Sequence, residues 1–196
     1  MVNETYLDEL VDFPEIVILR LLNNQNVVDL LSNIKNATLD DMEDDDGKWK
    51  YFYDYEHIPE TIQEIKSAFC IDTDIVSVPN KSTKRLELYV SCYCSQANMS
   101  INTRVFTGFA GNRLNNLLRY ADLSLRSNMP LNNKIFGSNP SQYIRDIFDF
   151  GNRVFGIGKL ELKNVRTVTS GNTAFAKKML TYSIPDFNTN RVAINV

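Results

Sequence analysis

Apolar positions fall at helical spacing in two long stretches of the chain. Ile16, Leu19 and Leu22, followed by Val27, Val28, Leu30, Leu31 and Ile34, predict helix over residues 15–34. Pro14 is expected at the first helical position, where a missing N–H costs nothing. The run Asn23-Asn24-Gln25-Asn26 should split the stretch into two short helices, because Asn competes for backbone hydrogen bonds and favours caps. The second stretch, residues 109–127, follows Gly108 and Gly111 and carries the stripe Leu114, Leu117, Leu118, Ala121 and Leu125, a core-facing surface.

Alternation with a period of two marks the strands. Leu86, Leu88, Val90, Cys92 and Cys94 occupy one face of residues 84–96, with Arg85, Glu87, Tyr89, Ser91 and Tyr93 on the other. The turn residues Pro79-Asn80-Lys81-Ser82 join this strand to an antiparallel partner over 66–78. Two further strands are expected: one near 157–168 after Gly156-Ile157-Gly158, with Leu160 and Leu162 inward, and one over 176–187 with Leu180, Tyr182 and Ile184 on one face. Asn139-Pro140-Ser141-Gln142 reads as an N-cap with Pro at N1, opening a short helix with Tyr143, Ile144, Ile147 and Phe148 that Gly151 ends.

Between these elements, residues 36–56 form an acidic and aromatic surface loop, including Trp49, Tyr51, Phe52, Tyr53 and Tyr55. Pro59 to Glu64 should make one helical turn, and residues 186–196, without a strong pairing signal, a mobile tail. The expected architecture is a single α+β domain over residues 1–196: an antiparallel sheet of about four strands with helices packed on one face.

A chain of 196 residues is long enough to fold without disulfides or metal, burying roughly 70% of its unfolded surface. No apolar run approaches a membrane span, and an acidic N-terminus is unlike a signal peptide, so no membrane association and synthesis in a cytoplasm are expected. Charge is divided unevenly. Residues 1–60 carry fifteen acidic groups against four basic ones, a net of −11, while the rest carries seventeen basic and nine acidic, a net of +8. Opposite-signed regions can steer docking between copies of one chain, and can equally be two solvated faces.

The residues do not suggest an enzyme. The acidic run Asp40 to Asp46 fails as a calcium loop, because Gly47 at position six would place Met42 at position one, where an Asp is needed. Cys70, Cys92 and Cys94 lack a well-placed fourth ligand for zinc, His57 sitting beside Pro59's loop, and are expected to be buried thiols. The glycines match no phosphate or dinucleotide loop, and nothing marks a nucleophile beside the lone His. No catalytic residue, cofactor or metal is therefore expected. Arg104, Arg113, Arg119, Arg126, Arg145 and Arg153 are read as scattered surface arginines, with a nucleic-acid-binding surface as the alternative.

Several segments, taken in order, carry a resemblance. The run Ile18-Leu19-Arg20-Leu21-Leu22-Asn23-Asn24-Gln25-Asn26-Val27-Val28-Asp29-Leu30-Leu31, then Tyr53-Asp54-Tyr55-Glu56-His57-Ile58-Pro59-Glu60-Thr61, the strand Lys84 to Cys94, the helix Asn112 to Asn128 and Gly156-Ile157-Gly158-Lys159-Leu160-Glu161-Leu162 resemble the neck and tail-terminator proteins of tailed bacteriophages that infect low-GC Gram-positive bacteria. Residues 129–155 stand as an inserted helical segment where shorter members pass almost directly from helix to the Gly-Ile-Gly strand.

The resemblance implies a tail-terminator-like fold and a structural virion protein, assembled in the host cytoplasm. It implies a ring, usually of six subunits, that caps the tail tube protein and meets a head-side connector or stopper protein. DNA would pass through the lumen without sequence-specific binding. A connector or stopper, or a tail-completion or baseplate component, is the alternative within that role. The expected subunit or partner contacts are Asp40, Asp41, Glu43, Asp44, Asp45 and Asp46 with Trp49, Tyr51 and Tyr53, and the inserted helix through Tyr143, Ile147 and Phe148.

Overall fold

The computed structural model describes residues 8–55, 67–80, 83–155 and 157–188. Five helices run α1 (Asp8–Leu22), α2 (Gln25–Ser32), α3 (Arg113–Arg126), α4 (Asn133–Phe136) and α5 (Gln142–Phe155). The strands are β1 (Phe52–Tyr53), β2 (Ser67–Asn80), β3 (Thr83–Ser95), β4 (Glu161–Val168) and β5 (Phe175–Asn188). They form one sheet in the order β1-β2-β3-β5-β4, antiparallel except where β1 runs parallel to β2. The α+β class holds, with helices packed against the sheet and five strands rather than four.

Alternation decides which face the helices cover. Phe69 and Ile71 of β2, Leu86, Leu88, Val90, Cys92 and Cys94 of β3, and Leu180, Tyr182 and Ile184 of β5 join one buried cluster with α1, α2 and the α3 stripe. All five stripe residues of α3 are buried, as their spacing predicts. The opposite face carries Asp72, Asp74, Arg85, Glu87 and Tyr89, whose strand neighbours confirm the shared side. Tyr93, at the end of that face, is buried with Cys70 and Phe175 in a small second cluster.

The ends of α1, α3 and α5 differ from expectation, through local caps or tertiary contacts. Pro14 lies inside α1, not at its start. One missing hydrogen bond is tolerated there because Phe13 is buried and meets Phe155 edge-on, ring centroids 5.3 Å apart. α3 begins at Arg113 with Asn112 as its cap, the Asn112 Oδ1 accepting from Asn115 N, and the two glycines before it sit in the loop at positive φ. In α5 the starting group is Ser141, whose Oγ accepts from Ile144 N, and the helix passes through Gly151 to Phe155. Gly151 is there for proximity: a Cβ at that position would stand 2.8 Å from Ile16 Cγ2 of α1.

The long hairpin β2–β3 forms as predicted, with Asn80 opposite Thr83, so Pro79 and Asn80 belong to strand β2. β4 starts at Glu161, later than expected, because Gly158 at φ +75 places residues 157–159 in a turn. Residues 186–188 are not a tail but the end of β5, Asn188 pairing with Thr83. The remainder of the predicted tail, and the predicted turn at Pro59 to Glu64, lie outside the described residues. All three cysteines are buried and none is in a disulfide.

Candidate interaction surface

Two buried arginines hold the helical layer together. Arg20 of α1, 1% exposed, donates from Nη2 to the carbonyls of Ser124 (2.9 Å), Leu125 (3.3 Å) and Ser127 (2.6 Å), and from Nη1 to Asn152 Oδ1 (2.8 Å). These carbonyls end α3, where unpaired acceptors and the negative end of the helix dipole both favour a cation. Burial pushes the Arg20 guanidinium down to about 10. Arg113 repeats the device at the other end of the layer, donating to Leu30 O and Asn33 Oδ1 at the close of α2 and to Asn98 O. It is 1% exposed, so the reading of Arg113 as a surface residue is corrected: a cap for a neighbouring helix outweighs solvation.

The asparagine cluster does more than split two helices. Asn24 Oδ1 caps α2 while its Nδ2 donates to Ser124 Oγ at 2.9 Å, and Asn23 exchanges bonds with Asn132 N and Pro130 O. These side chains fasten the inserted segment 129–155 to the start of the fold. Within that segment lies a cleft of about 400 Å³ bounded by Leu131, Pro140, Arg145 and Phe148.

Asp29 links this frame to the acidic loop. Its carboxylate accepts from Gln25 Nε2 at 2.7 Å, Ala37 N at 3.0 Å and Asn36 N at 3.1 Å, closing the chain that leaves α2. Beyond it the loop is a hairpin in miniature: Glu43 bridges Trp49, Asp44 N donates to Lys48 O, and Lys50 N donates to Met42 O. Asp44 Oδ1 accepts from Asp46 N and Lys48 N, Asp41 Oδ2 from Thr38 N and Oγ1, and Gly47 supplies the positive φ (+72) of the turn. Met42, fully buried, pins the hairpin to the core.

The Asp41 and Asp44 carboxylates thereby fix the loop backbone. Asp40, Asp44, Asp45 and Asp46 are exposed, and Asp41 and Glu43 half-buried. The aromatic segment lies alongside and borders a shallow cleft of about 490 Å³ with Asp44, Lys48 and Asp54. Trp49 and Tyr51 are half-buried against the main core, and Tyr53 packs on the small cluster and stands edge-on to exposed Tyr55 at 5.6 Å. Burial, with Asp41 nearby, raises the Tyr51 hydroxyl above its usual range.

The expected contacts therefore form two groups. The acidic residues and the aromatic segment come together on one surface. Of the three contacts expected on the inserted helix, Tyr143 is exposed and donates to Glu15 Oε1 at 2.8 Å, while Ile147 and Phe148 are buried inside the chain. Burial and that bond push the Tyr143 hydroxyl up to about 12. Phe148 lies under the Arg20 guanidinium, 5.9 Å from carbon to ring centroid. The amphipathic spacing of α5 carries no mark that separates a face turned to its own core from one turned to a partner.

The two buried arginines were also missed. A lone Arg20 inside an apolar helix pattern is the signal that finds one; Arg113, directly after a capping Asn, carries none.

A family comparison covers most of this frame. The YomW family model matches residues 18–140, from within α1 to the residue before Ser141. The chain belongs to the YomW family. No curated protein sequence matches it significantly.

Proposed function

We propose that this YomW-family member is a structural virion protein of the phage neck, forming a ring that caps the tail tube and joins tail to head. The observation that carries the reading is the acidic hairpin: it exposes Asp40, Asp44, Asp45 and Asp46, its backbone is fixed by the Asp41 and Asp44 carboxylates, and it stands beside a helical layer that two buried arginines lock. A charged hairpin on a rigid support suits docking on an oppositely charged surface of a neighbouring copy, and disfavours adhesion to passing DNA. The order of resembling segments and the opposite charges of the two parts of the chain support the same role.

In this reading no residue performs a reaction. Asp40 to Asp46, Trp49, Tyr51, Tyr53 and Tyr143 contact neighbouring subunits or the tail tube and head-side connector. Ile147 and Phe148 act through their packing, by holding the helix that presents Tyr143.

The test is gold labelling of purified phage particles with antibody raised against this chain. Gold at the head-tail junction supports the proposal. Gold at the far end of the tail assigns the protein to the baseplate, and particles without label remove it from the virion.

A further inference from the structure

The outer sheet edges are open over most of their length among the described residues. β1 pairs with β2 only at Phe69 and Cys70, and further along that edge the Thr73 N–H takes the Asp72 Oδ1 at 2.8 Å, a side chain standing where a strand carbonyl would. Thr73 Oγ1 is buried there with no hydrogen-bond partner. At the opposite edge β4 pairs only with β5, and its side chains are half-buried or exposed throughout, Val165 by 54%.

Building on the ring reading, we infer that β4 of one copy pairs antiparallel with the outer edge of β2 in the next, so that the sheet continues across the subunit boundary. Strand directions alternate across β2, β3, β5 and β4, so the two edges run in opposite senses. Copies related by rotation about an axis roughly along the strands therefore meet β4 against β2 antiparallel, with every helix layer on the same side. Such a head-to-tail contact uses two different surfaces, and closes into a ring when the rotation between copies divides the full turn.

Side-chain parity fixes the register. Val165 and Thr167 share the helix-covered side with Leu180 and Lys178, as do Thr73 and Ile75 with Leu88 and Leu86. Arg166, with Met179, and Asp74, with Glu87, share the other. Placing Thr167 opposite Thr73 puts Val165 opposite half-buried Ile75 and Arg166 opposite Asp74. The unpartnered Thr73 hydroxyl then meets a hydroxyl, exposed Val165 is covered, and unlike charges stand side by side. The occupant is a second copy because the charges match: Glu161 is already paired with Lys163 at 2.9 Å, leaving Arg166 as the cation of β4 to face Asp72 and Asp74.

The experiment combines Asp74→Cys with Arg166→Cys in the full chain, oxidised with copper phenanthroline and run on non-reducing gels. Within one copy these positions lie three strand spacings apart and four residues out of register, at least roughly 14 Å, beyond the ~7 Å Cα reach of a disulfide. The expected result is a ladder of covalent oligomers, with neither single variant passing a dimer. A folded double variant that shows rings by electron microscopy and no ladder overturns the edge contact and leaves the ring reading standing. A ladder-free sample without rings overturns the contact as well. As a second readout, Arg166→Glu or Asp74→Arg alone should weaken self-association about tenfold in sedimentation, and together restore it; absence of that restoration overturns the pairing.

Discussion

Replacing Arg20 with Met removes the cation from the end of α3 while keeping an unbranched apolar stem in place. Three carbonyls (Ser124, Leu125 and Ser127) and Asn152 Oδ1 lose their donor in a buried site. At about 1.5 kcal/mol each the loss is roughly 6 kcal/mol. Against this stands the cost of burying the guanidinium. Its descent from 12.5 to about 10, at about 1.4 kcal/mol per unit, returns roughly 3 kcal/mol when the charge is removed. The net expectation is a destabilisation of about 3 kcal/mol, or roughly 6–12 °C in Tm for a chain of this length. Guanidinium chloride unfolding followed by circular dichroism measures it as a lower midpoint at an unchanged slope. Arg119→Met is the control, because Arg119 is exposed, and it should move stability by less than about 0.5 kcal/mol. An Arg20→Met protein as stable as the parent would refute the view that this side chain caps α3 from within the core.

Gly151→Ala adds helix propensity worth about 1 kcal/mol, but its Cβ meets Ile16 Cγ2 at 2.8 Å, so thermal unfolding should show net destabilisation of about 1–3 kcal/mol; a rise in Tm contradicts the close α1–α5 packing. Burial, assisted by Asp122, holds the Tyr182 hydroxyl far above its usual range, and Tyr89, through its bond to Glu87, and Tyr143 sit at about 12. The folded chain therefore keeps protons that the unfolded chain releases near pH 10. Stability from these groups is fully present below about pH 10 and is lost as pH rises from there through the folded values, about 12 for Tyr89 and Tyr143; tyrosinate absorbance of native protein should lag that of unfolded protein above pH 10, and coincident curves would count against the contacts. Burial raises the Cys92 and Cys94 thiols, so native protein at pH 8 should leave both unalkylated by iodoacetamide while urea exposes them, with rapid native labelling as the adverse result.

The parts of the fold legible in the sequence are those where one periodicity repeats without interruption. The α3 stripe and the inward face of β3 each gave five positions that are all buried. Boundaries were less legible, because tertiary contacts set them: Phe13 against Phe155 carries α1 past Pro14, and Ile16 against Gly151 carries α5 past a residue that usually ends helices. The two-residue strand β1 exists only because β2 offers an edge, which no pattern within Phe52 and Tyr53 announces. For the surface, the acidic loop was visible as composition, whereas its rigidity comes from Asp41 and Asp44 turned inward on the loop's own N–H groups. Ile147 and Phe148 show the limit: an apolar helix face looks the same whether its own core or a neighbour covers it.

The proposed neck role is tested most directly by deleting this reading frame from a phage genome that encodes it and viewing the lysates by electron microscopy. The account predicts tails of uncontrolled length beside unjoined heads. Tails of normal length that fail to join would shift the protein to the connector or completion group, and normal infectious particles would contradict the neck role altogether.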